Sequence, residues 1–409
     1  MKVTEIEIHE IGLEYEDWHA YALDHYYGMA RRTVYVVHAD NGLIGLGEGR
    51  TEPQEVIDQY IGSNPFDWVG DELSLALGTA MYDLMGKAAG VPVYKLFGQK
   101  YRSWVPVGSW TVSTHPDHMA AAVQRYAARG YTWMKYHLSP FENVFDQTAA
   151  MQTVAPEGFK IHYDLTGFSA DNYMPDLIDR LAQYAIAGCI EDGLDARDIE
   201  ASIELRRRSK LPILRHQAPL EVTFEVMMGA ADAYIRGHQK IGPVMRQAGL
   251  FAAGNIPFML QNVGGNITRA MVVHMMAAFP TATLHAHNDT ETWKSDVVEE
   301  WLEPVNGFVP VPEGPGLGLT LDRGELQRLE NLPLQPRQPW IIKTIFKNGT
   351  KMYHLADDAH FLVRPHLRRL IPMNYDEPIE ETVYWDNDGT AEYRSTLERL
   401  EREDMVLEK

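Results

Sequence analysis

Four polar clusters recur along this chain at intervals of about one strand plus one helix: Lys135-Tyr136-His137, Asp164, Glu191-Asp192 and Arg215-His216-Gln217. Each ends a short apolar run that reads as a strand. Spaced this way, the groups suit a parallel barrel, where side chains at successive strand ends are aimed into one mouth. Two carboxylates and a lysine at such a mouth point to a hard metal ion and a proton-transfer site.

The surrounding pattern supports a fold of that kind. Val105–Trp110, Thr132–Leu138, Phe159–Asp164, Ile186–Glu191, Leu211–His216, Ala233–Arg236, Ile256–Leu260 and Ala282–His285 read as eight strands, separated by helix-length segments. Eight such units fit a closed barrel better than an open doubly wound sheet, and no Gly-rich phosphate fingerprint follows the first strand. Ahead of them, Thr33–His38 and Leu43–Glu48 flank the turn Asp40-Asn41-Gly42 as a hairpin, and Leu73–Lys87 has helical spacing up to a stop at Gly90-Val91-Pro92. The predicted architecture is therefore α/β: a (β/α)8 TIM-type barrel over about 105–325 behind an N-terminal α+β capping domain over 1–104. An extension covers 326–409, part of it returning to the capping domain. Within it, Trp340–Lys347 and Lys351–Leu355 can pair around Asn348-Gly349, and Ala391–Glu403 reads as a charged helix.

Composition excludes some partners. The chain has 409 residues, 57 of them acidic and 37 basic, for a formal charge of −20. That field disfavours nucleic acid and anionic membranes. No apolar run approaches the roughly 20 residues of a membrane helix, and the N-terminus alternates like a strand rather than a secretory signal. Cys189 is the single cysteine, so no intramolecular disulfide forms. The expectation is a cytoplasmic protein.

Two segments resemble the enolase superfamily, in its mandelate racemase/muconate lactonizing enzyme branch. One is Ala80–Gly98, similar to the last helix of that family's capping domain; the other is the series of strand ends, closed by Pro315-Gly-Leu-Gly-Leu319. The resemblance implies a divalent ion, usually Mg2+, that holds a small-molecule carboxylate substrate while its α-proton is removed, and a homo-oligomer. It implies Asp164 and Glu191 as the first two metal ligands. At the third position Gln217, or His216 beside it, replaces an acidic residue, and a nitrogen ligand there shifts preference towards Mn2+, Fe2+ or Zn2+. Thr166 stands where Asn is usual. Lys135 matches the first lysine of the family's Lys-x-Lys, and His137 replaces the second. Residues i and i+2 of a strand share a face, so Lys135 is expected to orient the carboxylate and His137 to take the proton.

The family's Asp and His of the sixth and seventh strands are absent: Gly237, with His238 beside it, and Gln261 fall there. That loss disfavours a two-base racemase and leaves one-base chemistry. On the eighth strand His285 and His287 share a face, and one of them is expected to be the general acid. Trp18, His19, Tyr21, His25, Tyr26 and Tyr27 fall in the segment that covers the mouth in the family. The resulting expectation is a metal-dependent lyase of acid-sugar dehydratase type. The alternatives are a metal-free enzyme with the His cluster doing the acid/base work, and a non-catalytic barrel that binds an anionic ligand.

Overall fold

The computed structural model describes the whole chain except residues 29, 140, 166–173, 195–196, 219, 334–337, 357–378 and 404; Thr166 lies outside the described residues. The N-terminal unit is an antiparallel sheet of β1 (Val3–Leu13), β2 (Ala30–Ala39) and β3 (Ile44–Gly49), in that order. The aromatic segment between β1 and β2 is a helix, α1 (Asp17–Tyr27). Helices α2 (Gln54–Tyr60), α3 (Leu75–Ala89) and α4 (Tyr94–Phe97) follow. The side chain of Ser74 caps α3 by accepting from Leu77 N at 3.1 Å, and Gly90 ends it in the left-handed region at φ 67°. Both are ordinary termination devices. α3 packs so closely on β3 that a Cβ on Gly47 would collide with the Ala76 carbonyl.

The barrel strands are β5 (Ser109–Val112), β6 (Trp133–His137), β7 (Lys160–Asp164), β8 (Ala187–Glu191), β9 (Ile213–His216), β10 (Ala233–Gly237) and β11 (Phe258–Gln261), parallel and adjacent in chain order. The expected first strand is split. Its start is β4 (Trp104–Pro106), which leaves the barrel to pair antiparallel with β12 (Phe308–Pro310). The eighth position is reduced to two parallel bridges, Val107 with Ala286 and Gln261 with His287, which join the two edges of the curled sheet. Helices α5 (Pro116–Ala128), α6 (Val144–Val154), α7 (Met174–Leu181), α8 (Ile199–Arg208), α9 (Val222–Met228), α10 (Ile241–Gly254) and α11 (Asn266–Ala278) alternate with the strands. The architecture is that of a TIM-type barrel with an antiparallel capping sheet.

After the barrel, α12 (Arg323–Glu330) runs along β1, with Arg323 paired to Glu7 at 2.6 Å and Arg328 to Glu14 at 3.1 Å. The rest of the extension forms a second antiparallel sheet. β13 (Trp340–Phe346) and β14 (Lys351–Ala356) make the hairpin around Asn348-Gly349; β15 (Ile379–Trp385) and β16 (Met405–Glu408) flank them, with α13 (Ala391–Glu403) before β16. This sheet has its own core of Ile341, Tyr353, Tyr393, Leu400 and Val406. It docks on α1 and the barrel loops: Trp340 Nε1 donates to the His25 carbonyl at 2.9 Å, Tyr384 donates to the Ser113 carbonyl at 3.2 Å, and Thr382 donates to the Phe141 carbonyl. Among the described residues, no helix is long and apolar enough to cross a membrane.

Two glycines give a paired check on the packing. Gly47→Ala forces β3 off α3 and should destabilise by about 1–3 kcal/mol. Gly249, in α10, has open space around its missing Cβ, so Gly249→Ala should stabilise by up to about 1 kcal/mol. Urea unfolding of both variants measures the two signs.

Candidate active site

Strand register brings the polar strand ends together. His137, Asp164 and Glu191 lie side by side on β6, β7 and β8, and Lys135, His162 and Cys189 form the row one step deeper. Lys135 is fully buried, and its ammonium donates to Asp164 Oδ2 at 2.8 Å, Glu191 Oε2 at 2.7 Å and Gln261 Oε1 at 2.6 Å. All three N–H bonds of that ammonium are thereby used. Burial opposes its charge, but Asp164 and Glu191 outweigh burial and hold its pKa above the ordinary lysine value. Burial likewise opposes the two carboxylates, yet Lys135 holds both below their usual range.

His216 Nδ1 meets Glu191 Oε1 at 3.0 Å, and His162 Nε2 meets Glu191 Oε2 at 2.8 Å. For His216, burial works against protonation and Glu191 reverses it, so its pKa rises. For His162, burial dominates and its pKa falls. The cluster thus sets two carboxylates against one ammonium and one imidazole poised to charge. Gly237 is required beside it, because a Cβ there would strike His216 Nε2.

His137 stands above this cluster at the mouth. Its Nε2 lies 3.2 Å from Asp164 Oδ2 and its Nδ1 3.2 Å from the Tyr27 hydroxyl. The carboxylate accepts from Nε2–H, which leaves the Nδ1 lone pair facing Tyr27. A cavity of about 390 Å3 opens here, lined among others by Tyr27, Arg32, Trp110, His137, His238 and Asp289. Burial, then Glu291, pushes the Asp289 carboxyl up to about 7. Burial, then His216, takes the His238 imidazole down to about 4. A larger cavity of about 550 Å3, lined by Leu13, His25 and Trp340 among others, contains no member of the ion cluster.

Three expected site residues stand elsewhere. His285 and His287 are buried below the mouth rather than lining it: His285 stacks on Trp133 with ring centres 4.0 Å apart and bonds His162 Nδ1 through Nε2 at 3.0 Å, and His287 has no hydrogen-bond partner among the described residues. Their segment is held only by bridges, with His287 opposite Gln261 at the end of β11, and the acidic group that lines the cavity is Asp289, two residues further on. Gln217 adopts φ 65° and turns to β10, donating to the Gly237 carbonyl at 2.8 Å and accepting from Gln239 at 2.9 Å. Arg215 points outward to Glu225 at 2.8 Å and Ser202 at 2.7 Å, away from the cluster.

The magnesium implied by the resemblance does not fit this donor set. The point on which Asp164 and Glu191 converge is taken by the Lys135 ammonium, the third position offers neutral Gln217 or His216, and Lys135 with a protonated His216 balances the two carboxylates. The Asp192 carboxyl, whose ligand atom lies within 4.8 Å of those of Glu191 and His216, is pushed up to about 7 by burial and adds little charge near neutrality. Sequence reading missed Arg32, His162 and Asp289. The Arg31-Arg32 pair and the polar run Asn288-Asp289-Thr290 were visible, but nothing in strand spacing ties the capping sheet to the mouth.

Residues 118–325 match the family model described as enolase C-terminal domain-like. Among curated proteins, the cis-3-hydroxy-L-proline dehydratase of Roseibium aggregatum is 23% identical, with 78% of this chain and 96% of the relative covered. The N-succinylamino acid racemase of Thermus thermophilus is 25% identical, over 62% of this chain and 70% of its own. Among solved structures, the N-succinyl Arg/Lys racemase of Bacillus cereus superposes with a TM-score of 0.67 at 21% identity, covering 81% of this chain and 99% of that one.

Two outcomes follow from the ion cluster. Millimolar Mg2+ or Mn2+ should leave the melting temperature of the wild-type protein where an equal ionic strength of NaCl leaves it. Lys135→Met strands two buried carboxylates and should destabilise by about 3–5 kcal/mol; in that variant alone, a divalent ion should recover part of the loss in a thermal-shift assay.

Proposed function

We propose, from the premise that this chain belongs to the enolase superfamily in its mandelate racemase/muconate lactonizing branch, that it is a lyase of acid-sugar dehydratase type. Its relatives include both dehydratases and racemases, so the choice rests on the cavity. One base and one acid face the same space: His137 is oriented by Asp164, and the Asp289 carboxyl is half-protonated near neutrality. Paired groups with separated roles suit elimination. The other imidazole among the described lining residues, His238, is weakly basic, which disfavours racemisation.

The substrate class is a hydroxy- or sugar-acid carboxylate. Arg32 lines the cavity and is anchored through Nε to Glu48 at 3.2 Å, which leaves its terminal amino groups for the substrate carboxylate. The substrate displaces the Tyr27 hydroxyl from His137 Nδ1. The Cα–H bond breaks, with the proton passing to Nδ1. The Cβ–O bond breaks as the hydroxyl takes the Asp289 proton and leaves as water. The resulting enol tautomerises to a 2-oxo acid, and solvent restores both groups.

Superfamily members generally bind Mg2+, and here no step is assigned to a metal. Lys135 acts as a fixed internal cation that holds Asp164 in the geometry His137 needs. The saturated ammonium also favours a second reading, a non-catalytic barrel that binds an anion with Arg32.

A panel of acid sugars assayed for 2-oxo acid release, with and without EDTA, separates the two readings. His137→Ala should lower turnover by about 10²–10⁴-fold without changing the melting temperature. Turnover should fall as pH rises above about 7, where Asp289 loses its proton, and Asp289→Asn should remove that limb together with most activity. Binding of sugar acids with no product would leave only the anion-binding reading, and full activity in His137→Ala would reject the assigned base.

A further inference from the structure

The extension builds a second cavity that shares no residue with the ion cluster. It has a volume of about 380 Å3 and lies where α1, the loops after β5 and β6, and β15 meet. Trp18 and Tyr21 of α1, His118 of α5, Glu142 before α6, and Glu381 and Tyr384 of β15 line it. The family match ends at residue 325, so the wall supplied by β15 lies outside the matched region.

Glu142 is the unusual member. It is 7% exposed and lines the cavity, and its carboxyl has no hydrogen bond or ion pair among the described residues. Burying a carboxyl without a partner is expensive. Burial alone pushes this one up to about 8. Among the described residues, no lysine or arginine lines the space to neutralise it. The nearby imidazole of His118 is committed elsewhere: its Nε2 meets His19 Nδ1 at 3.1 Å, and His19 Nε2 meets Thr111 Oγ1 at 2.9 Å. Arg125 stacks on the Trp18 ring, 5.0 Å from its centre, without joining the lining. Among the described residues, the cavity therefore presents aromatic rings and two carboxyl groups, with the lining imidazole of His115 paired to Asp117 at 3.7 Å; an incoming cation would meet ring faces and a carboxyl that ionises against it.

We infer that this seam binds a small organic ammonium ion, with Glu142 as its counter-ion, Trp18, Tyr21 and Tyr384 as the aromatic wall, and Glu381 as a second negative group. The inference does not depend on the reaction proposed above. The occupant would touch α1, the helix whose Tyr27 reaches His137, so the site borders the mouth without entering it.

Calorimetric titration of the full chain with choline and propylammonium, set against the neutral choline isostere 3,3-dimethylbutan-1-ol, tests this. Saturable binding of at least one ammonium is expected, with the isostere about tenfold weaker or more, equivalent to about 1.4 kcal/mol. Glu142→Gln should weaken the ammonium by a similar factor while leaving the melting temperature unchanged or higher, because the Glu142 carboxyl has no hydrogen bond or ion pair to lose among the described residues. Trp18→Leu should also weaken it. Absence of binding by both ammonium ions overturns the inference, as does equal binding of the neutral isostere or undiminished binding in Glu142→Gln.

Discussion

The Lys135 ammonium between Asp164 and Glu191 is the interaction on which the barrel mouth depends. Each ion sealed from water loses several kcal/mol of hydration, which only close, well-directed partners offset. Here they lie within 2.8 Å, and Gln261 completes the set from the far edge of the sheet. The contact joins β6 to β7, β8 and β11. A one-residue slip of any of these strands would reverse its side chains and leave a buried charge alone. The network therefore specifies register more than it adds stability, and it holds Asp164 where it can orient His137.

The capping sheet and the extension complete the mouth from outside. α1 carries Tyr27 to His137, β2 carries Arg32 to the cavity, and the C-terminal sheet fastens α1 through Trp340 and the His25 carbonyl. His25 also meets Asp386 at 2.6 Å. The segment that the family resemblance places over the mouth is thus a helix clamped on two sides. It buries Ala22, Leu23 and Tyr26, and the clamp arises from a sheet more than 300 residues away, which local patterning does not encode.

The same distinction explains what could be read from the chain. The barrel was legible because its strand ends repeat at a fixed interval, and each repeat carries one inward polar group. The β13–β14 hairpin was legible from Asn348-Gly349. The eighth strand was overread: Leu284-His-Ala-His287 alternates well but makes bridges only, because two buried imidazoles replace the branched side chains that favour a regular strand. That shortfall put His285 and His287 below the cavity and Asp289 in it. Gln217 and Arg215 were ambiguous because the backbone after β9 enters the left-handed region at Gln217, which redirects both the side chain and the register that sequence spacing assumes. Arg32 needed the packing of one domain on another, and no one-dimensional pattern carries that.

Charge arithmetic links the altered third ligand to the buried lysine. Three carboxylates around a dication leave a net charge of −1, and two carboxylates around an ammonium leave the same. With Gln217 in place of an acidic residue, Lys135 and a protonated His216 together balance Asp164 and Glu191, so the cluster makes little demand for a metal. The exchange is not neutral for chemistry. A dication keeps open coordination positions for a substrate carboxylate, whereas the Lys135 ammonium has spent its three donors on Asp164, Glu191 and Gln261. Positive charge for an incoming carboxylate must then come from the rim, where Arg32 stands. A guanidinium stabilises developing charge less than a directly bound dication does, which favours substrates whose β-hydroxyl departs as the α-proton leaves, so that little charge accumulates on the carboxylate.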